Sequence, residues 1–239
     1  MDGKVVVITG ALGGIGEAVR DIFYRDALVK HITSIDSKKS SLFVCCDVTN
    51  FSDVIKVINY AAEFEKRIDI LVNAAGALPK ASPVIKMDME EARKVMEVNL
   101  WGTWNCCKAV LPIMRAQRYG RIVNISSVAG QRGDPGNAIY AASKAAIESL
   151  TKSLALEAVY CKEGETPPNI TVNAVAPGIV DTPMTANLSE RAFQEYLKRN
   201  PLKRKIKPEE VAEAVYFLAT ASSAINGVIL PVDGGYLAS

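Results

Sequence analysis

Tyr140 and Lys144 stand four residues apart in "AIYAASKAAIESL", residues 138–150. On a helix that spacing puts a phenol and an ammonium on one face. Ala141, Ala142, Ala145 and Ala146 surround them with small side chains, so another group can pack close. The chemistry such a pair suits is proton transfer. A phenol ordinarily titrates near ~10, too high for an efficient base at neutral pH, and a nearby positive charge lowers that value. Taken alone, the same spacing also fits an amphipathic helix with a tyrosine at its edge and a solvated lysine, so the rest of the chain decides.

Few other groups compete for acid–base work. His31 is the single histidine. A Ser-His-Asp triad or a histidine-based metal site would have to use it, and the local sequence lacks partners, so it reads as structural. The five cysteines are Cys45, Cys46, Cys106, Cys107 and Cys161. An odd count set in adjacent pairs suits neither a disulfide framework nor a C-x-x-C metal site. No metal is expected. A reducing, intracellular compartment, the cytoplasm first, is the simplest account.

A second constellation is "TGALGGIG", Thr9 to Gly16, between an apolar strand and a helical run. Gly10, Gly14 and Gly16 let the backbone turn tightly and approach a ligand, and the helix start offers amide donors to a pyrophosphate. Ile15 lies within the same turn. Asp36 ends the next strand, where a carboxylate can accept from adenosine ribose hydroxyls and repel the extra phosphate of NADP. Lys38 and Lys39 follow and could soften that discrimination. Asp47 and Val48, after "FVCC", could face the adenine. "NAAG" (73–76) gives another strand a small-residue exit, with Asn73, Ala74 and Gly76 near a ribose.

These groups need a frame. Strand-like runs at 4–9, 31–36, 41–48, 68–76, 120–127, 169–178 and 227–235 alternate with helical ones at 14–28, 52–67, 90–117, 139–160 and 208–220. Ser52 or Asp53 caps the second helix. The fourth segment is expected to break near Gly102 and kink at Pro112. The pattern predicts an α/β protein: a single-domain Rossmann fold over residues 1–239, with a doubly wound parallel sheet of about seven strands and helices on both faces. A hydrophobic fraction of 49% supports one large core, and a net charge of +2 gives no reason to expect a nucleic-acid partner. The basic stretch from Lys198 to Lys207 reads as a solvated loop. "MDGKVVVITG" shows no secretory signal, and no apolar run is long enough for a membrane span.

The ordered set "TGALGGIG", "NAAG", Asn99 in "VNLWG", Ser127 in "NISS", Tyr140 and Lys144 in "YAASK", "APGIVDTPM" (176–184) and the terminal "VDGGYL" closely resembles the short-chain dehydrogenase/reductase family. The match runs over nearly the whole chain. Its nearest subgroup in general appearance is the 3-oxoacyl carrier-protein reductase-like set. The resemblance implies a catalytic group of Asn99, Ser127, Tyr140 and Lys144. Tyr140 would exchange a proton with the substrate oxygen, and Ser127 would orient that oxygen. Lys144 would lower the phenol's pKa and hold the nicotinamide ribose. Asn99 would hold a water linking Lys144 to solvent. Ser126 is the competing serine, and the family spacing favours Ser127. Pro177, Gly178 and Thr182 would border the nicotinamide, with Thr182 near its carboxamide. Relatives that prefer NADP often carry a basic residue in the glycine loop where Gly13 stands, which favours NAD here, with NADP the lesser choice.

The resemblance therefore implies an oxidoreductase that moves a hydride between NAD(H) and a small secondary alcohol or ketone. One alternative is an NADPH-dependent 3-oxoacyl-thioester reductase. Another is a non-catalytic dinucleotide-binding scaffold or redox sensor. A homo-oligomer is implied, a tetramer before a dimer, through the helices at 99–117 and 139–160 and the final strand. Trp101, Trp104, Cys106 and Cys107 belong to packing or that interface. Residues 183–207 carry Met184, Leu188, Phe193, Tyr196 and Leu197 at roughly helical spacing and read as a substrate lid hinged by "NPLKRK".

Overall fold

The computed structural model describes residues 3–37 and 44–239. In β1 (Lys4–Thr9), Val5 and Val7 enter one apolar cluster while Val6 and Ile8 enter the other. Successive side chains of a strand point to opposite faces, so a strand covered on both sides is apolar without interruption. The chain continues through α1 (Gly14–Tyr24), β2 (Val29–Asp36), β3 (Val44–Cys45), α2 (Phe51–Glu65) and β4 (Ile70–Asn73). Next come α3 (Met89–Met96), α4 (Gly102–Ala116), β5 (Tyr119–Ile125), α5 (Ala138–Val159), β6 (Asn169–Pro177), α6 (Glu190–Arg199), α7 (Pro208–Thr220) and β7 (Ile229–Val232).

The described residues form one seven-stranded sheet in the order β3-β2-β1-β4-β5-β6-β7. Every neighbouring pair is parallel. Val54, Ile58, Val110, Met114 and Leu154 bring α2, α4 and α5 onto one face. Val19, Phe23, Val211, Val215 and Leu218 bring α1 and α7 onto the other. The fold is thus the doubly wound, Rossmann-like domain the pattern implied. The order turns back between β1 and β4, which opens a crevice beyond their carboxyl ends. Thr9 pairs with Asn73 and Asn73 with Asn124, so β1, β4 and β5 deliver their following loops to one level.

Local details differ from the sequence pattern. Asn50 caps α2: its side chain accepts from the Ser52 and Asp53 amides at 3.1 and 3.3 Å, in place of a cap at Ser52 or Asp53. Helix α1 stops at Tyr24, and Asp26 forms the turn into β2 by accepting from the Leu28 amide at 2.8 Å. The strand expected over 41–48 is short. Residues 41–43 lie outside the described residues, and Asp47 closes the strand by accepting from the Thr49 amide at 3.0 Å. The break expected near Gly102 is a π turn, Glu97–Trp101, between α3 and α4. Pro112 sits inside α4, which runs on to Ala116. Lys198 and Arg199 belong to α6 rather than a loop, and Lys198, Lys205 and Arg204 pair with Glu195, Asp181 and Glu210. His31 lies in β2, its ring 3.0 Å from the Thr33 hydroxyl.

Candidate active site

The glycine loop is built by close approach. Gly10 has φ +65°, and a Cβ there would lie 2.6 Å from the Ala75 amide nitrogen. A Cβ on Gly16 would lie 2.1 Å from the Gly10 carbonyl oxygen. The first glycine lets the backbone turn beside β4, and the last lets α1 start directly on the turn. Gly14 supports Thr182: a Cβ there would lie 2.6 Å from the threonine methyl. That contact folds the segment after β6 onto the glycine loop. Ile15 and Ala74 pack on the α1/α7 side of the core, so their part in a site can only be through backbone and edge contact. Asp36 accepts from the Leu12 amide at 3.1 Å, which sets its carboxylate at the lip of the loop. Lys38 and Lys39 lie outside the described residues.

Asp47 is exposed and uses Oδ1 for Thr49, while Val48 is buried against Gly102. Asn73 does not turn its side chain to the crevice. Its Nδ2 donates to Asn124 Oδ1 at 2.9 Å and to Cys107 Sγ at 3.4 Å, beneath the sheet. Only its backbone, with Ala74 and Gly76, forms the exit from β4. Gly178 follows β6, and its amide donates to the Val232 carbonyl at 3.0 Å. A Cβ on it would sit 2.8 Å from the Tyr196 hydroxyl. The Pro177–Gly178 turn is therefore backed directly by α6.

The four side chains singled out for proton chemistry come from three elements at this edge. Ser127 follows β5, Tyr140 and Lys144 lie in the first two turns of α5, and Asn99 lies in the π turn. Ser127 Oγ accepts from the Ala129 amide at 3.2 Å, and its hydroxyl is the neighbouring group that lowers the Tyr140 phenol. Ser126 points elsewhere, to the Lys144 carbonyl at 3.2 Å and Glu148 Oε1 at 2.9 Å. The geometry thus separates the two serines. Lys144 is buried, with its Nζ donating to the Ile125 carbonyl at 2.8 Å and standing 5.6 Å from the Tyr140 ring centroid.

Asn99 is fully buried. Its Oδ1 accepts from the Ala77 amide at 2.7 Å, and its Nδ2 donates to the Ala77 carbonyl at 3.0 Å and to Ser143 Oγ at 2.9 Å. A Cβ on Gly76 would lie 3.4 Å from Asn99 Oδ1 and 3.7 Å from Lys144 Nζ. Gly76 therefore keeps open a small space that faces both groups. Ser143 and Ala77, which lock Asn99, carried no signal in the sequence. Ser143 reads as one more small residue of "YAASK", and Ala77 acts only through its backbone.

The electrostatics differ from the expected lowering of the phenol. Burial pushes Tyr140 up to about 12; the Ser127 hydrogen bond offsets part of this, and the Asp134 charge adds to it. Burial also pushes Lys144 down to about 8. The ammonium is held on the Ile125 carbonyl and does not lower the phenol in this state, so desolvation dominates both groups. Burial raises the thiols of Cys46 to about 11 and of Cys107 to about 12, and raises that of Cys106 as well. Among the described residues no cluster of His, Cys, Asp or Glu is arranged to hold a metal, and no helix is long and apolar enough to cross a membrane.

Residues 18–237 match the family model described as enoyl-(acyl carrier protein) reductase. The 3-oxoacyl-[acyl-carrier-protein] reductase of Thermotoga maritima is 39% identical over 251 residues, covering 98% of each chain. The cis-4-hydroxycyclohexanecarboxylate dehydrogenase of Sinomonas cyclohexanicum is 37% identical, covering 98% of this chain and 97% of the relative. Among solved structures, ElxO with NADP bound superposes with a TM-score of 0.88 at 30% identity, over 100% of both chains.

The buried amine sets a measurable expectation. Its pKa in the folded chain lies below the ordinary 10.5, so the unfolded chain binds more protons in that range. The penalty is complete below about pH 8 and is relieved as pH rises toward 10.5. Relative to Lys144→Met, the parent should gain about 2 kcal/mol between pH 7.5 and 9.5. Urea unfolding of both proteins at the two pH values measures it; a flat difference would show that the amine is not desolvated.

Proposed function

The chain belongs to the short-chain dehydrogenase/reductase family of NAD(P)-dependent oxidoreductases, and on that premise we propose that it moves a hydride between NAD(H) and a small secondary alcohol or ketone. The observation that carries this reading is the Ser127–Tyr140 hydroxyl pair beside buried Lys144, at the edge where the glycine loop opens. The loop fits a dinucleotide: Gly10 and Gly16 have no room for a Cβ, and the start of α1 lies behind them. Gly10, Gly14, Gly16 and Asp36 would hold the pyrophosphate and adenosine end. Asp47, Val48, the backbone from Asn73 to Gly76, Lys144, Pro177, Gly178 and Thr182 would hold the rest.

The nicotinamide, when bound, supplies or accepts the hydride at carbon. The chain's own side chains manage the oxygen. In the reducing direction the Tyr140 hydroxyl donates its proton to the carbonyl oxygen as that oxygen gains charge, while the Ser127 hydroxyl donates a hydrogen bond to the same atom. Reversed, Tyr140 as phenolate takes the alcohol proton. Lys144, turned from the Ile125 carbonyl toward a ribose, would favour that phenolate. A water beside Gly76, shared by Asn99 Oδ1 and Lys144 Nζ, would return protons from solvent.

Asp36 supports NAD over NADP, because a carboxylate at the lip of the loop opposes a phosphate on the adenosine ribose. A second reading, an NADPH-dependent 3-oxoacyl-thioester reductase, is favoured by the Thermotoga maritima relative and by the NADP in the ElxO structure. Residues 183–207 serve in the proposal as the substrate lid. Tyr196 and Asn200 are buried, so the moving part would be the exposed segment before them, and "NPLKRK" would act as anchor rather than hinge. A homo-oligomer would cover the groove of about 520 Å³ between α4 and α5, lined by Trp104, Leu111, Pro112 and Leu154.

Three outcomes test these proposals. Tyr140→Phe should cut turnover of a ketone panel by about 10²–10⁴-fold while NADH still binds, read by steady-state rates and NADH fluorescence; near-normal turnover would sink the mechanism. NADH should give a higher kcat/KM than NADPH across the panel, and the reverse order, with acyl-thioester turnover, would establish the second reading. Sedimentation at micromolar concentration should show a closed oligomer, tetramer before dimer, and a monomer would reject the assembly.

A further inference from the structure

Among the described residues, a cation stands at this edge without an anion. Arg132 lies in the loop between Ser127 and Tyr140 and is half-buried. Its guanidinium lies over the Tyr236 ring, 5.3 Å from the centroid. Tyr236 stacks on Tyr196 at 5.1 Å, and the Tyr196 hydroxyl backs Gly178, the turn assigned above to the nicotinamide. Phe193 of α6 continues the row, 6.5 Å from Tyr196. An aromatic wall thus runs from the nicotinamide turn to the loop that carries Arg132.

A ring beneath a guanidinium engages its flat face and leaves the in-plane N–H donors unused. Among the described residues no acceptor takes any of the Arg132 donors. The carboxylates nearest in this loop and its helix have other partners. Asp134 Oδ2 accepts from Asn137 at 2.8 Å. Glu148 Oε1 accepts from Ser126 and from Gln131, each at 2.9 Å. A fork of donors that is fixed by stacking, partly desolvated and unpaired matches a planar oxyanion in a two-point contact.

We propose that Arg132 is a specificity-determining residue that binds an anionic group, a carboxylate first, carried by the substrate away from its carbonyl or carbinol carbon. This rests on the oxidoreductase reading above and names its substrate class: oxo or hydroxy acids with an apolar body that lies along the Tyr236–Tyr196 wall. Discrimination arises because a neutral analogue leaves the guanidinium donors unpaired once water is displaced.

The test compares aliphatic and cyclohexanone oxo acids with their methyl esters, using both coenzymes. The parent protein should favour the acids in kcat/KM by about 10–100-fold, the range of one charge-assisted contact. Arg132→Met, which keeps the apolar stem over Tyr236, should bring the acid-to-ester ratio near one, and Arg132→Lys should restore part of it. A ratio that survives in Arg132→Met, or esters that equal acids in the parent, would overturn the proposal. A second arm needs no turnover. Phenylglyoxal labelling of Arg132, followed by peptide mass spectrometry, should slow severalfold with cyclohexanecarboxylate and not with the corresponding amide; equal labelling would also overturn it. If no ketone of any kind is reduced while the carboxylate still protects Arg132, the oxidoreductase reading fails and the anion site stands. If esters are reduced as well as acids and labelling is unprotected, the enzyme reading stands and the anion site fails. An Arg132→Met variant altered only in its oligomeric state would assign the cation to a subunit contact instead.

Discussion

The burial of Lys144 is the constraint around which the rest of the site is arranged. An ammonium taken from water without a carboxylate partner is destabilised, and here a single carbonyl, Ile125, holds it. That carbonyl is the last of β5, so the amine is tied to the sheet edge and not merely to its own helix. The tie sets the rotation of α5, which in turn aims Tyr140 at Ser127. Gly130 permits the approach: a Cβ on it would lie 2.8 Å from the Ala145 amide nitrogen. The many alanines of this helix have the same consequence, since the helix must lie close to the turn that follows β5.

The same burial explains why the two ionisable groups shift in opposite directions. Tyr140 is held neutral by a raised pKa and Lys144 is eased toward neutrality by a lowered one. Both shifts express one fact, that this corner rejects charge of either sign while it is dry of counter-charge. A bound group with a positive ring and ribose hydroxyls would supply what is missing to both. Such a group would make this corner a different electrostatic environment, and a phenol lowered by its lysine would belong to that environment.

Much of the fold was legible because its signals are local. β1 reads as a continuous apolar run, and both faces of it are buried. The residues proposed for proton transfer could be grouped for the same reason: Ser127, Tyr140 and Lys144 fall within eighteen residues of sequence, joined by one loop. What remained hidden depends on geometry over longer distances. The π turn at Asn99 shows in the sequence only as Gly102, a glycine that in fact makes room for Val48. Asn73 carries the composition of a ribose contact, yet its side chain serves the polar chain beneath the sheet through Asn124 and Thr151. The cap of α2 was misplaced by two or three residues because Asn50, Ser52 and Asp53 are all competent caps, and only the backbone turn selects among them.

The two sides of the site also differ in how the chain assembles them. The side proposed to make bonds needs three atoms at fixed separation, and short-range sequence spacing can supply that. The wall opposite it is built from Arg132, Gly178, Tyr196 and Tyr236, which are spread over more than a hundred residues and meet only through stacking and one hydroxyl contact. No motif spacing encodes such a wall, because its members follow three different strands: Arg132 comes after β5, Gly178 and Tyr196 after β6, and Tyr236 after β7. Loops of this kind can change side chains without disturbing the register of the sheet that carries them. A reaction type can therefore be read from spacing along one loop and helix, whereas a substrate has to be read from which unpaired charge and which rings the distant loops bring together.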